Sequence, residues 1–316
     1  MRIGIAIGSV ARNDVPLATL LERIGEAEAA GFASAWVANA FGFDAITLMA
    51  LAGRETERIE LGTFVVPTYP RHPLALAQQA LTAASACAGR FTLGIGLSHR
   101  VVIERALGLD YSRPLRHMRE YLAVLNPLLA GEAARFRGEE FRVSAELHAG
   151  SERPALILAA LGPRMLRLAG GQSDGTATWL GGPRYLGETA IPAIRRAAED
   201  AGRAPPRIVC GLPVAVTNDR EAARASVSRS FETYGKLPSY RAVLDLEGVE
   251  GPADVAIIGN EDEVAAQLER LAVIGVTDLN PAPVTVAGDP GSRERTYAFL
   301  AELARAELPQ QPRPVP

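Results

Sequence analysis

His99 is the residue in this chain whose type and place best suit chemistry. It follows an apolar run, 91–97, in the stretch Gly94-Ile95-Gly96-Leu97-Ser98-His99-Arg100. An imidazole changes charge near neutral pH, so it can give or take a proton beside a reacting atom. Asn39 closes another apolar run, 32–38, with an amide that either binds a ligand or caps a turn. Trp179 stands at the end of a third run, 175–180, as core or as a flat wall for a planar ring. His72, between Arg71 and Pro73, reads as a structural hydrogen-bonder. His117 and His148 fall on an expected helix and an expected insertion and receive no role.

Other chemistries lack their signatures. No two histidines stand at metal-ligand spacing on a helix, and there is no G-x-S-x-G elbow or Walker loop. No metal site is expected. Gly94 and Gly96 form a G-x-G without the helix-opening third glycine of a dinucleotide fingerprint. Glycine in a buried strand marks close approach of a ligand or of another backbone, and both readings fit here. Ala160-Leu161-Gly162-Pro163 closes a strand and opens a helix. Free N–H groups and the helix dipole favour an anion at such a place, although an ordinary turn has the same sequence. Arg164 reads as a solvated helix charge. Lys236 is the single lysine among 33 basic residues, so an anion would be held by arginine, hydroxyls or backbone N–H groups.

The elements that would position these residues alternate regularly. Strands are expected over 2–8, 32–38, 59–66, 91–97, 155–161, 175–180, 208–216 and 276–279. Helical spacing fills the gaps, as in Leu74, Ala77, Leu81 and Ala84, or Leu115, Met118, Leu122, Leu125 and Leu129. Pro73 suits a first helical turn, and Gly31 and Gly89 suit helix ends. Two stretches break the rhythm. Residues 131–153 read as a small hairpin insertion and 235–254 as irregular. Eight β–α pairs predict an α/β fold, a (β/α)8 TIM barrel in one domain over residues 1–307. A doubly wound sheet is the alternative. The proline-rich tail, 308–316, is expected to be disordered. In a barrel the active site lies at the C-terminal strand ends, which nominates Ser9 as well as the residues above.

Composition narrows the partners. A net charge of −3 and a pI near 5.9 argue against nucleic acid or an anionic membrane as partner. No apolar run reaches the roughly 20 residues that span a bilayer. The start, MRIGIAIGSV, reads as a strand and not as a signal peptide. Cys87 and Cys210 sit in apolar settings without redox or metal spacing, and are expected to be buried free thiols in a reducing cytoplasm.

Three blocks carry a family likeness: LGTFVVPTYPRHPLALAQQALTAASACAGRFTLGIGLSH, LILAALGPRMLRLAGGQSDGTATWL and AIIGNEDEVAAQLERLAVIGVTDL. With them the chain resembles the luciferase-like monooxygenase superfamily, most of all its branch that uses the deazaflavin coenzyme F-420. The resemblance spans roughly residues 1–305. It implies a ring lying across the strand ends against a non-prolyl cis peptide, here Phe64–Val65. It also implies that Gly96, Leu97, Ser98 and His99, with Ala160, Leu161 and Gly162, hold the ribityl and phosphate portion. Asn39 and Trp179, nominated by their strand-end places, complete the expected cofactor site, and His99, by its own type and place, is the expected proton donor or acceptor. In the sugar-phosphate dehydrogenase branch a catalytic histidine follows the residue ending strand two, where this chain has Ala40. A glutamate of that branch aligns with His99, and several of its phosphate-binding lysines are missing here. The expected activity is hydride transfer between F-420 and a small organic substrate by a cytoplasmic homodimer. An FMN-dependent monooxygenase is the alternative, and a flavin-binding barrel without catalysis is a third reading.

Overall fold

Gly4 sits at the seam of a closed barrel. The computed structural model describes residues 1–8 and 15–306; Ser9 and the tail 308–316 lie outside the described residues. Strand β1 comes in two pieces on either side of Gly4, Arg2–Ile3 and Ile5–Ala6. The others are β2 (Ser34–Val37), β3 (Glu60–Thr63), β4 (Phe91–Gly96), β5 (Ala155–Ala159), β6 (Gly175–Trp179), β7 (Arg207–Val216) and β8 (Asp278–Pro283). The first piece of β1 pairs parallel with β8 and the second with β2. The path β1-β8-β7-β6-β5-β4-β3-β2 therefore returns to β1, and no edge is left open. The expected (β/α)8 barrel is the fold.

The helices form the outer layer: α1 (Leu17–Ala30), α2 (Ala45–Glu55), α3 (Pro73–Ala86), α4 (Pro114–Leu129), α5 (Pro163–Gln172), α6 (Ile191–Asp200), α7 (Arg220–Lys236), α8 (Pro238–Glu247), α9 (Glu261–Ile274) and α10 (Ser292–Arg305). Their ends follow local chemistry. The Asp44 carboxylate accepts the Thr47 N–H at the start of α2, and Asn260 with Glu263 forms a capping box at α9. Gly31 ends α1 at φ 92°, a conformation costly for any side chain with a Cβ.

Side chains alternate along each strand, so the barrel interior is built in layers. At the N-terminal end, Arg2, Glu60, Arg207 and Asp278 form a ring of ion pairs at 2.6–3.0 Å. Above it Trp36, Ile157, Ala177 and Val209 form a small separate core. The Trp36 indole donates to Ser34 Oγ at 2.8 Å and lies over Gly62, where an added Cβ would come within 2.2 Å of the ring. The uppermost interior layer is mostly small: Ala6, Ala38, Gly96, Ala159, Gly211 and Ala282, with Phe64 and Trp179.

Two parts of the sequence reading need correction. The stretch 235–254 is not irregular: α8 occupies Pro238–Glu247, followed by a tight turn at Pro252–Asp254. Pro238 at the first turn and Gly248 at φ 82° bound this helix, and Tyr240, Val243 and Leu244 form its buried face. The reading also missed a short strand, Ile257–Gly259, that pairs parallel with the end of β7. The hairpin expected within 131–153 is present as Ala134–Arg137 paired antiparallel with Arg142–Ala145. Both cysteines are free and buried, as expected.

His117, given no role from sequence, ties the hairpin to the barrel. It is 5% exposed and stacks on Tyr69 with ring centroids 3.9 Å apart. Its Nε2 lies 3.1 Å from Thr68 Oγ1, and Phe141 of the hairpin packs against it. One turn along α4, Glu120 accepts the N–H groups of Glu139, Glu140 and Phe141. Burial pulls the His117 pKa down from 6.5 to about 4, against the opposing pull of Glu120. The unfolded chain thus takes up this proton before the folded chain does. Stability from this site is complete above pH 6.5 and is lost progressively as the pH falls towards 4, by up to about 3 kcal/mol. His117→Phe should flatten the urea-midpoint profile between pH 6.5 and 4; an unchanged slope would show that His117 does not set it.

Candidate active site

The third and fourth strands fall out of step at their upper ends. Gly62 pairs with Thr92, but Val66 pairs with Ile95, so β3 carries one residue too many. The surplus makes a bulge. Thr63 bridges it, its hydroxyl donating to Gly94 O and accepting from Gly94 N, both at 2.8 Å. The Phe64–Val65 peptide within the bulge is cis, as the family likeness implies. Here the two open readings of Gly94 and Gly96 resolve. A Cβ at Gly94 would stand 2.0 Å from Thr63 O, and one at Gly96 would stand 2.7 Å from Val65 Cγ2. These glycines admit the bulge.

Phe64 and Trp179 floor a shallow bowl at the strand ends. The Phe64 ring crosses the barrel and, with the Trp179 indole, fills the space above Gly211, where a Cβ would lie 2.8 Å and 2.7 Å from them. Around them the strand-end positions Ala6, Ala38, Val65, Ala159 and Ala282 are part-exposed, so the bowl is open above. Among the described residues, Trp179 Nε1 and Asn280 Oδ1 are buried without a hydrogen-bond partner. They belong to one row across three strands, because Trp179 pairs with Gly211 and Gly211 with Asn280. Leaving such atoms unpaired costs about 1–3 kcal/mol each, so a polar group from a ligand is the natural complement.

His99 stands at the rim. Ser98 before it takes φ 61°, and its carbonyl accepts the Tyr111 hydroxyl at 3.3 Å. The backbone of His99 then starts a helical turn by accepting the N–H groups of Val102 and Ile103. Among the described residues nothing hydrogen-bonds the imidazole. Its ring instead lies 5.7 Å from Tyr240 on α8 and 6.1 Å from Tyr234 on α7. Burial holds its pKa below the usual 6.5, so it is neutral at pH 7.

The remaining candidates divide. The Asn39 carbonyl is committed to the loop, accepting Ala45 N at 3.0 Å, with Arg71 Nη2 at 3.5 Å; this is the turn-capping role. His72 caps α3 by accepting Leu74 N, the structural role. Leu97 is part-buried beside Ser98. At the end of β5, Ala160 is buried, and Leu161 O accepts the Tyr185 hydroxyl at 2.6 Å. Gly162 precedes α5 without a side-chain cap, so the first N–H groups of that helix stay available to an anion. Sequence reasoning missed Asn280 and the aromatic wall of Phe231, Tyr234 and Tyr240. The signal for Asn280 was its place two residues after Asp278, on the interior side of the same strand.

The site suits a planar coenzyme with a phosphate-bearing tail. It has a floor of rings, a collar of small residues, unpaired polar atoms beside the floor and an open helix start. No group of three or more His, Cys, Asp or Glu among the described residues could hold a metal ion.

Comparison with known proteins shows the family. The pattern of the luciferase-like monooxygenase family matches residues 1–278. A putative coenzyme F-420-dependent oxidoreductase of Mycobacterium tuberculosis is 30% identical over 257 residues, covering 74% of this chain and 72% of its own length. An F-420-dependent secondary alcohol dehydrogenase, solved with an F-420–acetone adduct, superposes with a TM-score of 0.78 at 19% identity, over 96% of this chain and 99% of its own. The FMN complex of a diketocamphane monooxygenase from Pseudomonas putida reaches the same TM-score, 0.78, at 16% identity, over 98% of this chain and 100% of its own. Matched over most of its length, with the cis peptide and the strand-end bowl in place, the chain belongs to the luciferase-like monooxygenase family.

Proposed function

We propose that the protein is an F-420-dependent oxidoreductase acting on a small organic substrate. The observation that carries this reading is the pairing of the bowl with an imidazole on its rim that has no hydrogen-bond partner among the described residues. The relative named for F-420 supports the choice of coenzyme. When bound, a deazaflavin supplies a two-electron hydride donor or acceptor. Phe64, Val65 and Trp179 would lie against its ring, and Ser98 with the Ala160–Gly162 turn would meet its tail. His99 takes the proton from a substrate hydroxyl as the carbon is oxidised, or returns one as a carbonyl is reduced. Its neutral form at pH 7 favours the accepting role. No described helix is long and apolar enough to cross a membrane.

Titration of the purified protein with F-420 and with FMN, followed by tryptophan fluorescence, tests the coenzyme. F-420 should bind at least tenfold more tightly, a difference of about 1.4 kcal/mol. Equal affinities, or FMN carried through purification, would favour the oxygen-activating alternative that the diketocamphane monooxygenase likeness represents. Absence of turnover with any acceptor would leave only a binding role.

A further inference from the structure

The mouth of the barrel on the β6–β7 side points to the chemical class of the substrate, and the argument rests on the reading of this site given above. Its wall is aromatic. Trp179 meets Phe231 at 5.4 Å and Tyr234 at 6.2 Å, and Tyr234 meets Tyr240 edge-on at 5.0 Å. His99 completes the group. Several described cations are already ion-paired. Arg71 is held by Asp44, Arg100 by Glu104, Arg184 by Glu188, Lys236 by Glu232 and Arg241 by Asp245.

A second observation concerns how that wall is fixed. After β6 the chain turns at Gly182, and the N–H groups of Arg184 and Tyr185 point outward. The Glu247 carboxylate, from the last turn of α8, accepts both, at 3.2 Å and 2.7 Å. Gly182 leaves the room, since a Cβ there would lie 2.3 Å from Glu247 Cδ. One carboxylate thus fastens α8, and Tyr240 with it, over the mouth. It also puts a fixed negative charge where the donors would otherwise attract a substrate's anion. A phosphorylated substrate would meet aromatic faces, paired arginines and this carboxylate, and lose its hydration without compensation.

We infer that the substrate is an uncharged, hydrocarbon-rich carbonyl compound or its alcohol, held against the wall of Tyr240, Tyr234 and Trp179 with its oxygen towards His99, and that Glu247 is a positioning residue that keeps this wall closed and anion-free. Calorimetric titration with acetophenone and with glucose 6-phosphate tests this, each on coenzyme-free protein and on protein saturated with F-420. Acetophenone should bind and glucose 6-phosphate should not. Tyr240→Ala should weaken acetophenone about tenfold, the scale of a lost aromatic contact, with F-420 affinity unchanged. Glu247→Gln should weaken it severalfold, again without touching F-420. Where Tyr240→Ala fails to fold, Tyr234→Ala on the half-buried neighbour takes its place. Acetophenone binding that depends on Tyr240 in a protein that binds no F-420 would sustain this inference and sink the coenzyme reading. F-420 binding together with tighter uptake of glucose 6-phosphate, or acetophenone binding indifferent to both tyrosines, would overturn the inference and leave the coenzyme reading intact.

Discussion

His99→Ala is expected to slow the chemical step by about 10²–10⁴-fold, the range general acid–base catalysis usually supplies. Coenzyme affinity should change far less. The expectation comes from three features of the residue together. It stands at the end of β4, on the rim of the bowl. Its imidazole has no hydrogen-bond partner among the described residues. Burial holds its pKa below 6.5, which leaves a neutral base at physiological pH. The sign of the pH dependence follows. In the oxidising direction the wild-type rate should be flat at neutral pH and fall as the pH drops through the lowered histidine pKa. In the reducing direction it should rise over the same interval. The variant should lose that limb in both directions. Stopped-flow measurement of deazaflavin absorbance, at saturating coenzyme, separates the step from binding. Full recovery of the rate at high F-420 would make His99 a binding residue and end its catalytic assignment.

The architecture was readable because strand and helix periodicities alternate along the chain and because caps sit where helices end. Gly31, Asp44 and Pro73 mark boundaries by backbone chemistry that needs no tertiary context. The interior of the site was not readable in the same way. Gly94 and Gly96 announce a close approach, but only the one-residue slip between β3 and β4 shows that Thr63 and Val65 are what approaches. The α8 segment was misjudged because Gly235, Pro238, Gly248, Gly251 and Pro252 give turn signals so close together that they mask its 10 residues. With that helix missed, the aromatic neighbours of His99 and the Glu247 latch were invisible, since both depend on residues far away in sequence. His72 was legible as a structural hydrogen-bonder because capping is a local event, whereas Asn39, expected among the coenzyme contacts, has its carbonyl committed to the loop. His117 was passed over because burial cannot be read for a histidine on an amphipathic helix until the hairpin that covers it is in place.

Arg207→Met should destabilise the fold by about 3–5 kcal/mol, the usual result of removing one partner from a buried ion pair. Arg207 closes the N-terminal end of the barrel. It reaches Glu60 at 2.8 Å and Asp278 at 2.7 Å, while Arg2 grips the same two carboxylates from β1 at 2.6 Å and 3.0 Å. The four side chains come from β1, β3, β7 and β8, so they lock together strands that meet only when the barrel closes. Asp278 is 2% exposed at its side chain and Glu60 16%, which leaves water little part in screening them. Burial alone would raise the Glu60 pKa; Arg207 and Arg2, with the Thr92 hydroxyl, bring it down from 4.5 to about 2. Burial alone would likewise lower the Arg207 pKa, yet Asp278 and Glu60 raise it. The carboxylate side therefore contributes stability that is complete above pH 4.5 and is lost as the pH falls towards 2, about 3 kcal/mol in all. In the methionine variant Glu60 and Asp278 share Arg2 alone, so that acid-labile portion should shrink even as the protein at pH 7 becomes weaker. Urea unfolding of both proteins at pH 7 and pH 3 measures the two effects together. A loss under 1 kcal/mol at pH 7, or an acid slope equal to wild type, would show that the ring fills the barrel end without holding it shut.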